Sequence, residues 1–294
     1  MNVVVIGQIG RDLVLRTAGP PSASEATTVL QREEVLGGKG ANQAVGLVQL
    51  GVPVALIGVV GEDTAGVSVL QQAQRDGIDV GGVARRGATA LLIDIVSRPP
   101  ERMLLEDLPK SSLVQVADLD RCASLWEGAD TVSIQLQQPP ATALEAARRA
   151  RRRGLRVVAD GVPAPDVRDD LLGMVDVIRA DATEAALIAG TEIATVEQAA
   201  TLADELLTCG PGLVALAVPD VGDLLVWQTG RELFEFADVE VVDPTGAGDA
   251  FVAGLIAALR DGAEPREAGR LAAAAASSTV QRLGGRPDLT GLAS

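Results

Sequence analysis

No histidine and no tyrosine occur among the 294 residues, and lysine appears only at Lys39 and Lys110. Imidazole bases, Ser–His–Asp triads and histidine metal ligands are therefore excluded. Acid–base work falls to Asp and Glu. The two cysteines, Cys122 and Cys209, lie far apart and outside any CxxC spacing. They read as small apolar residues in a reducing compartment. Aromatic side chains make up only 2% of the chain, which leaves few candidates to stack on a base or sugar. Apolar runs such as Val52–Val60, "VPVALIGVV", stop well short of a membrane span. The opening "MNVVVIGQIG" has no basic leader, no long apolar core and no small-residue cleavage site, and is read as the buried first strand of a cytoplasmic protein.

What is present is acidic and apolar. A net charge of −15 repels nucleic-acid backbones and acidic membrane surfaces alike, and says little else about partners. Apolar content of 47% argues for a packed core, and the length fits one large α/β domain.

Short apolar runs alternate with helical patterns. The expected strands are Val3–Ile6, Val54–Val60, Thr131–Leu136, Leu155–Ala159, Val175–Ile178 and Leu213–Val218, with shorter ones at Leu224–Trp227, Leu233–Phe236 and Val239–Val242. The expected helices are Ala41–Leu50, Ala65–Asp76, Thr142–Arg153, Thr183–Ile188, Val196–Leu207, Ala250–Arg260 and Glu267–Leu283. This alternation predicts βαβ units on a mainly parallel sheet with helices on both faces. Leu13–Leu36 and Ala90–Leu108 carry β-type runs without helices and predict a small antiparallel sheet beside the main one, a lid. The organisation expected is one domain, 1–294, with lid strands drawn from about 11–36 and 88–110. In such sheets ligands bind beyond the strand carboxyl ends, here "GQIGRD", "DGVPAP", "RADATE", "VPDVG" and "DPTGAGD".

The densest chemistry is "DPTGAGDAF", Asp243–Phe251. Gly246, Ala247 and Gly248 let the backbone turn with its N–H groups outward, and the following helix adds partial positive charge, so the turn forms an anion hole. Asp249 reads either as a helix cap or, with a phosphoryl group in the hole, as the base for an attacking hydroxyl. "GGKGANQAV" is not a nucleotide P-loop: Gly40 follows the lysine and residue 33 is Glu. It reads as a close-approach turn, with Gly37 and Gly38 against a small polar ligand and Asn42 reaching it, or simply as a helix start. "VVVIGQIGRD" gives only a partial dinucleotide fingerprint.

Together, "GGKGANQAV" and "DPTGAGDAFVAG" resemble the two signatures of the ribokinase-like (PfkB) carbohydrate kinases, in order and about two hundred residues apart. "VGEDTAG", the Thr183–Glu184 pair and "TVQRLGGRPD" fit as well, so the resemblance spans the chain. It implies a three-layer ribokinase-like fold and ATP-dependent phosphorylation of a primary hydroxyl of a small sugar. Asp249 is implied as base and Gly246–Gly248 as anion hole. Asp12, Gly38 and Asn42 match sugar-hydroxyl contacts, with Gly37, Lys39 and Gln137 beside them. Glu184 matches the residue that organises Mg²⁺ through water. Asp243, Thr245, Thr279, Arg282, Gly284 and Asp288 match a loop for a monovalent cation, usually potassium. The lid implies a homodimer contact.

Four positions, in three motifs, depart from the pattern. Asp181 replaces an asparagine, Ala217 and Pro219 replace the threonine and first glycine of the nucleotide loop and leave only Gly222, and Gln137 replaces an acid. Proline removes a donor, which weakens phosphate contacts there. Three alternatives stay open: a sugar-phosphate kinase using Lys39, Arg98 and Arg102, a nucleoside kinase, and a sugar-binding protein with weakened catalysis.

Overall fold

The computed structural model describes residues 2–23, 25–97 and 102–292. Its strands are β1 Asn2–Ile6, β2 Gly10–Thr17, β3 Val29–Gly37, β4 Val54–Val60, β5 Asp79–Arg85, β6 Ala90–Val96 and β7 Arg102–Asp107. They continue as β8 Ala129–Gln135, β9 Arg156–Asp160, β10 Val177–Ala180, β11 Leu213–Val218, β12 Gly222–Trp227 and β13 Gly230–Glu235. The helices are α1 Lys39–Gln49, α2 Thr64–Arg75, α3 Val116–Arg121, α4 Ala123–Glu127, α5 Pro140–Arg152, α6 Arg168–Leu172, α7 Ala182–Ala189, α8 Val196–Thr208, α9 Ala247–Arg260 and α10 Pro265–Thr279.

Nine strands form one sheet in the order β13-β12-β11-β10-β9-β8-β1-β4-β5. Every pairing from β11 to β5 is parallel, while β12 and β13 are antiparallel. A parallel strand covered on both faces needs a continuous apolar run rather than an alternating one. β1 shows this: Val4 and Ile6 pack into a core with α5, α7 and α8, whereas Val3 and Val5 pack into a second core with α1, α2 and α9. The result is helix, sheet, helix in three layers.

A second, four-stranded sheet runs β3-β2-β6-β7. It comes from the two regions that lacked helical pattern, but it is mixed rather than antiparallel, because β2 and β6 run parallel. Two further expectations are corrected. Val239–Val242 is no strand: it pairs with no neighbour, and the amides of Val242 and Asp243 both donate to Val280 O at the end of α10, 2.8 and 3.1 Å away. The last helix stops at Thr279 rather than Leu283. β5, α3, α4 and α6 had no counterpart among the expected elements. No described helix is long and apolar enough to cross a membrane.

Strand order reverses at β1, which has β4 on one side and β8 on the other. Such a switch point opens a crevice at the strand carboxyl ends. α1 starts directly over that end, because a Cβ on Gly40 would lie 2.7 Å from the Gly7 carbonyl carbon. At the other edge, β11 and β12 form a hairpin in which Val218 pairs with Gly222. A Cβ on Gly222 would sit 2.1 Å from Phe234 O, so the strand approach requires glycine. Gly222→Ala is therefore expected to destabilise the fold by about 1–3 kcal/mol through overpacking. Urea unfolding is the measurement, and an unchanged midpoint would contradict the steric account.

Candidate active site

Two uncapped helix starts meet over the crevice. α9 begins at Gly246, whose φ of 74° and lack of room for a Cβ (2.0 Å from Gly285 O) both demand glycine. α1 begins at Gly38, φ 87°, against Gln8 O. Neither helix has a side-chain cap. Their first-turn amides thus face a ligand space with partial positive charge, as an anion site requires.

That space is a cavity of about 720 Å³. Its walls come from both sheets: Gln8, Leu136, Gln137 and Arg179 from the large one or its loops, and Asp12, Leu92, Asp94 and Arg102 from the small one. Gly246, Ala247, Gly248 and Asp249 form one end, with Lys39, Asn42, Asp181 and Glu184 also in the lining.

Asp249 lies in the first turn of α9, not ahead of it, and is buried. Asn42 Nδ2 donates to its Oδ2 at 3.1 Å and Gln43 Nε2 to its Oδ1 at 3.4 Å. Gln43 Nε2 also donates to Asp160 Oδ2 (2.9 Å), and its own Oε1 accepts from Ser133 Oγ (2.9 Å). Burial, reinforced by the Asp160 charge and only partly offset by Lys39, raises the Asp249 carboxyl to about 7. Asp12, on β2, is also raised to about 7, by burial and by the charges of Asp94 and Asp249. Its Oδ1 has no hydrogen-bond partner among the described residues.

Lys39 Nζ pairs with Glu184 Oε1 at 2.8 Å. Burial alone would lower this lysine; the carboxylates of Asp160, Glu184 and Asp249 outweigh it and hold the amine charged. Asp181 caps α7: its Oδ1 accepts from Glu184 N–H (2.8 Å), and Glu184 Oε2 accepts from Asp181 N–H (2.9 Å). An aspartate serves this reciprocal cap as well as the expected asparagine would.

The remaining sequence candidates fall elsewhere. Gly37 does not line the cavity; a Cβ there would overlap the Asp12 carboxylate, so the glycine makes room for that acid. Pro219 and Gly222 do not line this cavity and belong to the β11–β12 hairpin. Ala217 lines a second, apolar cavity of about 270 Å³, as do all three phenylalanines of the chain, Phe234, Phe236 and Phe251. Asp243 is fully buried beneath the turn; Thr245 N–H and Oγ1–H donate to its Oδ1 (2.9 and 2.6 Å), and Gly284 N–H to its Oδ2 (2.9 Å). Thr279 spends its hydroxyl on Ala275 O, and Arg282 pairs with Asp288. Arg98 lies outside the described residues, whereas Arg102 Nε meets Asp94 Oδ1 at 2.6 Å.

Gln43, Asp94, Asp160 and Arg179 were given no role from the sequence. Asp94 and Arg179 were visible as charges interrupting apolar strands, "LLIDIV" and "DVIRA", where a buried charge demands a reason.

Residues 1–290 match the pfkB family of carbohydrate kinases. The chain is 27% identical over 291 residues to the ribokinase of Haemophilus influenzae, covering 98% of this chain and 95% of that protein. It is 31% identical over 294 residues to the ATP-dependent ribose-1-phosphate kinase of Halopiger xanaduensis, covering 97% and 94%. Arabidopsis thaliana ribokinase, solved with ribose and ATP, superposes with a TM-score of 0.79 at 25% identity, covering 98% of this chain and 96% of that one.

The two raised carboxyls have a consequence independent of catalysis. A carboxyl whose pKa rises from 3.8 to about 7 on folding stabilises the fold at low pH and loses that contribution as pH rises through 7. Melting temperature is expected to fall less between pH 5 and 8 in the Asp12→Asn/Asp249→Asn double variant than in the parent; parallel curves would refute this.

Proposed function

Because this chain belongs to the pfkB family of carbohydrate kinases, we propose that it transfers the γ-phosphoryl group of ATP to a primary hydroxyl of a small neutral sugar. The observation that carries the reading is the juxtaposition of Asp249 with the uncapped start of its own helix: a base beside an anion hole. Asp12 and Asn42 accept and donate hydrogen bonds to sugar hydroxyls. Lys39 guards the phosphoryl end. Asp249 takes the hydroxyl proton, and a pKa near 7 suits a base that must receive it at neutral pH. The Gly246–Gly248 amides stabilise charge on the transferring oxygens. The apolar second cavity, with its three phenylalanines, takes the nucleotide base, so scarcity of aromatics does not count against a nucleotide site.

Among the described residues no cluster of three or more acidic, Cys or His side chains could cage a metal. Magnesium fits without one, since it retains waters and takes phosphate oxygens, needing one or two carboxylates. Glu184 and Asp181 are those, and the ion would neutralise phosphate charge. Asp243 has only neutral donors as recorded partners although it is fully buried, which suits a monovalent cation beside the loop. Arg282 and Asp288, paired through their side chains, would contribute only main-chain oxygens. The exposed Val29, Leu30, Met103 and Leu105 on edge strands β3 and β7 offer a homodimer contact.

A sugar phosphate is the second reading, favoured by the name of the 31%-identical relative and by Arg102. Against it, Asp12, Asp94, Glu106, Asp181, Glu184 and Asp249 outnumber Lys39, Arg102 and Arg179 around the cavity. Against a sugar binder without catalysis, for which Ala217, Pro219 and Asp181 speak, Asp181 serves the α7 cap much as an asparagine would.

Turnover of a sugar panel with ATP and Mg²⁺ tests the proposal. Asp249→Asn is expected to lower kcat about a hundredfold or more, and kcat/KM of the parent should fall below pH 7 as the base is protonated. Intact Asp249→Asn activity would defeat the mechanism, and a phosphosugar outpacing its free sugar would select the second reading. Replacing potassium by a large organic cation is expected to depress the rate in the parent; a rate indifferent to the cation removes Asp243 from that role.

A further inference from the structure

The two cavities share a border made by Arg179, Pro244, Ala247 and Gly248, and Arg179 is its only charged side chain. This arginine lies within β10, in register with Asp160 on β9 and Ala215 on β11, and is 6% exposed. Its guanidinium is wedged under the turn: a Cβ on Gly248 would stand 2.6 Å from Nη2 and 2.7 Å from Nη1. Burying such a charge is costly unless it is fully paired. Here it is not. Nη1 reaches Asp160 Oδ1 at 3.3 Å and Glu184 Oε2 at 4.0 Å, while Nε is buried with no partner among the described residues. Burial opposes its charge, but Asp160, Asp223, Glu184 and Asp181 hold it protonated. A fork of N–H donors, always charged and under-satisfied, matches phosphate geometry.

We infer that Arg179 contacts the polyphosphate where it crosses from the apolar cavity to Asp249, and stabilises the leaving group. The inference rests on the kinase reading. As the sugar oxygen bonds to the γ-phosphorus, the bond from that phosphorus to the β–γ bridging oxygen breaks. The electron pair stays on that oxygen, now part of ADP, and the hydroxyl proton passes to Asp249. The oxygen that gains charge lies at the crossing, beside the guanidinium. Two departures then acquire a counterpart: Arg179 offsets the added negative charge of Asp181, and it supplies a donor at the border of the apolar cavity, where Ala217 offers none.

The test compares the parent with Arg179→Met, Arg179→Lys and Arg179→Ala, by ADP calorimetry and by steady-state kinetics with ATP and the sugar the parent turns over. Arg179→Met is expected to lose about a hundredfold or more in kcat, as for removal of a transition-state donor. ADP binding should weaken about tenfold, with sugar KM within about threefold. Millimolar guanidinium salt should restore part of the Arg179→Ala rate, which a purely structural role would not permit. ADP affinity and kcat within about threefold of the parent would overturn the inference, and so would loss of sugar and ADP binding together in a folded variant. If Arg179→Met does not fold, Arg179→Lys decides, because it keeps a charge for Asp160: reduced kcat and weaker ADP binding support the contact, and parental values refute it. If the parent turns over no sugar, the kinase reading falls, while the ADP titrations still judge the contact.

Discussion

The site depends on a balance of buried charge. Asp249, Asp160, Asp12 and Glu184 are drawn into one buried crevice, and Lys39 at the start of α1 and Arg179 on β10 answer them. At an effective dielectric near 20, unit charges 4 Å apart interact by about 4 kcal/mol, so each cation decides which acids ionise. Without Lys39 and Arg179, burial and mutual repulsion would hold Asp249 protonated. With a direct ion pair, it would be too weak a base. It pairs with neither cation; Asn42 and Gln43 hold it by neutral hydrogen bonds instead. That indirect arrangement leaves the carboxyl near 7, between the two failures.

The layers were legible because their causes are local. "NVVVI" cannot alternate faces and so must be covered twice, and Gly51 and Gly77 punctuate the helices before them. The segments that escaped notice are short or depend on distant partners. α6 is five residues long, and β5 carries a pair of glycines, Gly81 and Gly82, which dilute any strand pattern. Val239–Val242 failed for the opposite reason. Its "VEVV" composition is that of a strand, but it joins neither sheet, and its last amide and that of Asp243 go to Val280 O. β-propensity describes a surface that fits a sheet, not the availability of one.

Site residues divide in the same way. Asp249, Asn42 and the glycine turn announce themselves, since a helix start with no side-chain cap and a glycine at positive φ leave a trace in sequence. Gln43 and Asp160 do not, and Arg179 shows only as a charge in an apolar run, because their partners lie on other elements. Asp160 and Arg179 are 19 residues apart and meet only because β9 and β10 are paired. The second cavity was hidden for a further reason. Three phenylalanines are few by composition, yet all three converge on one pocket.

On the proposed binding mode, the small sheet ties substrate recognition to the base. Asp12 sits on β2, where burial and the charge of Asp94 raise its carboxyl. The Asp249 charge is also among the causes that keep Asp12 protonated. On the proposed binding mode, sugar hydroxyls donating to Asp12 favour its ionised form. That ionisation, because repulsion between two sites is mutual, holds the proton on Asp249 more tightly once transferred, so a bound sugar strengthens the base that takes its hydroxyl proton. A sugar lacking the hydroxyls that reach Asp12 would forfeit this as well as the contact. Selectivity on such a design falls on the rate of transfer, not only on affinity, because the recognition acid and the catalytic acid share one crevice and one electrostatic account.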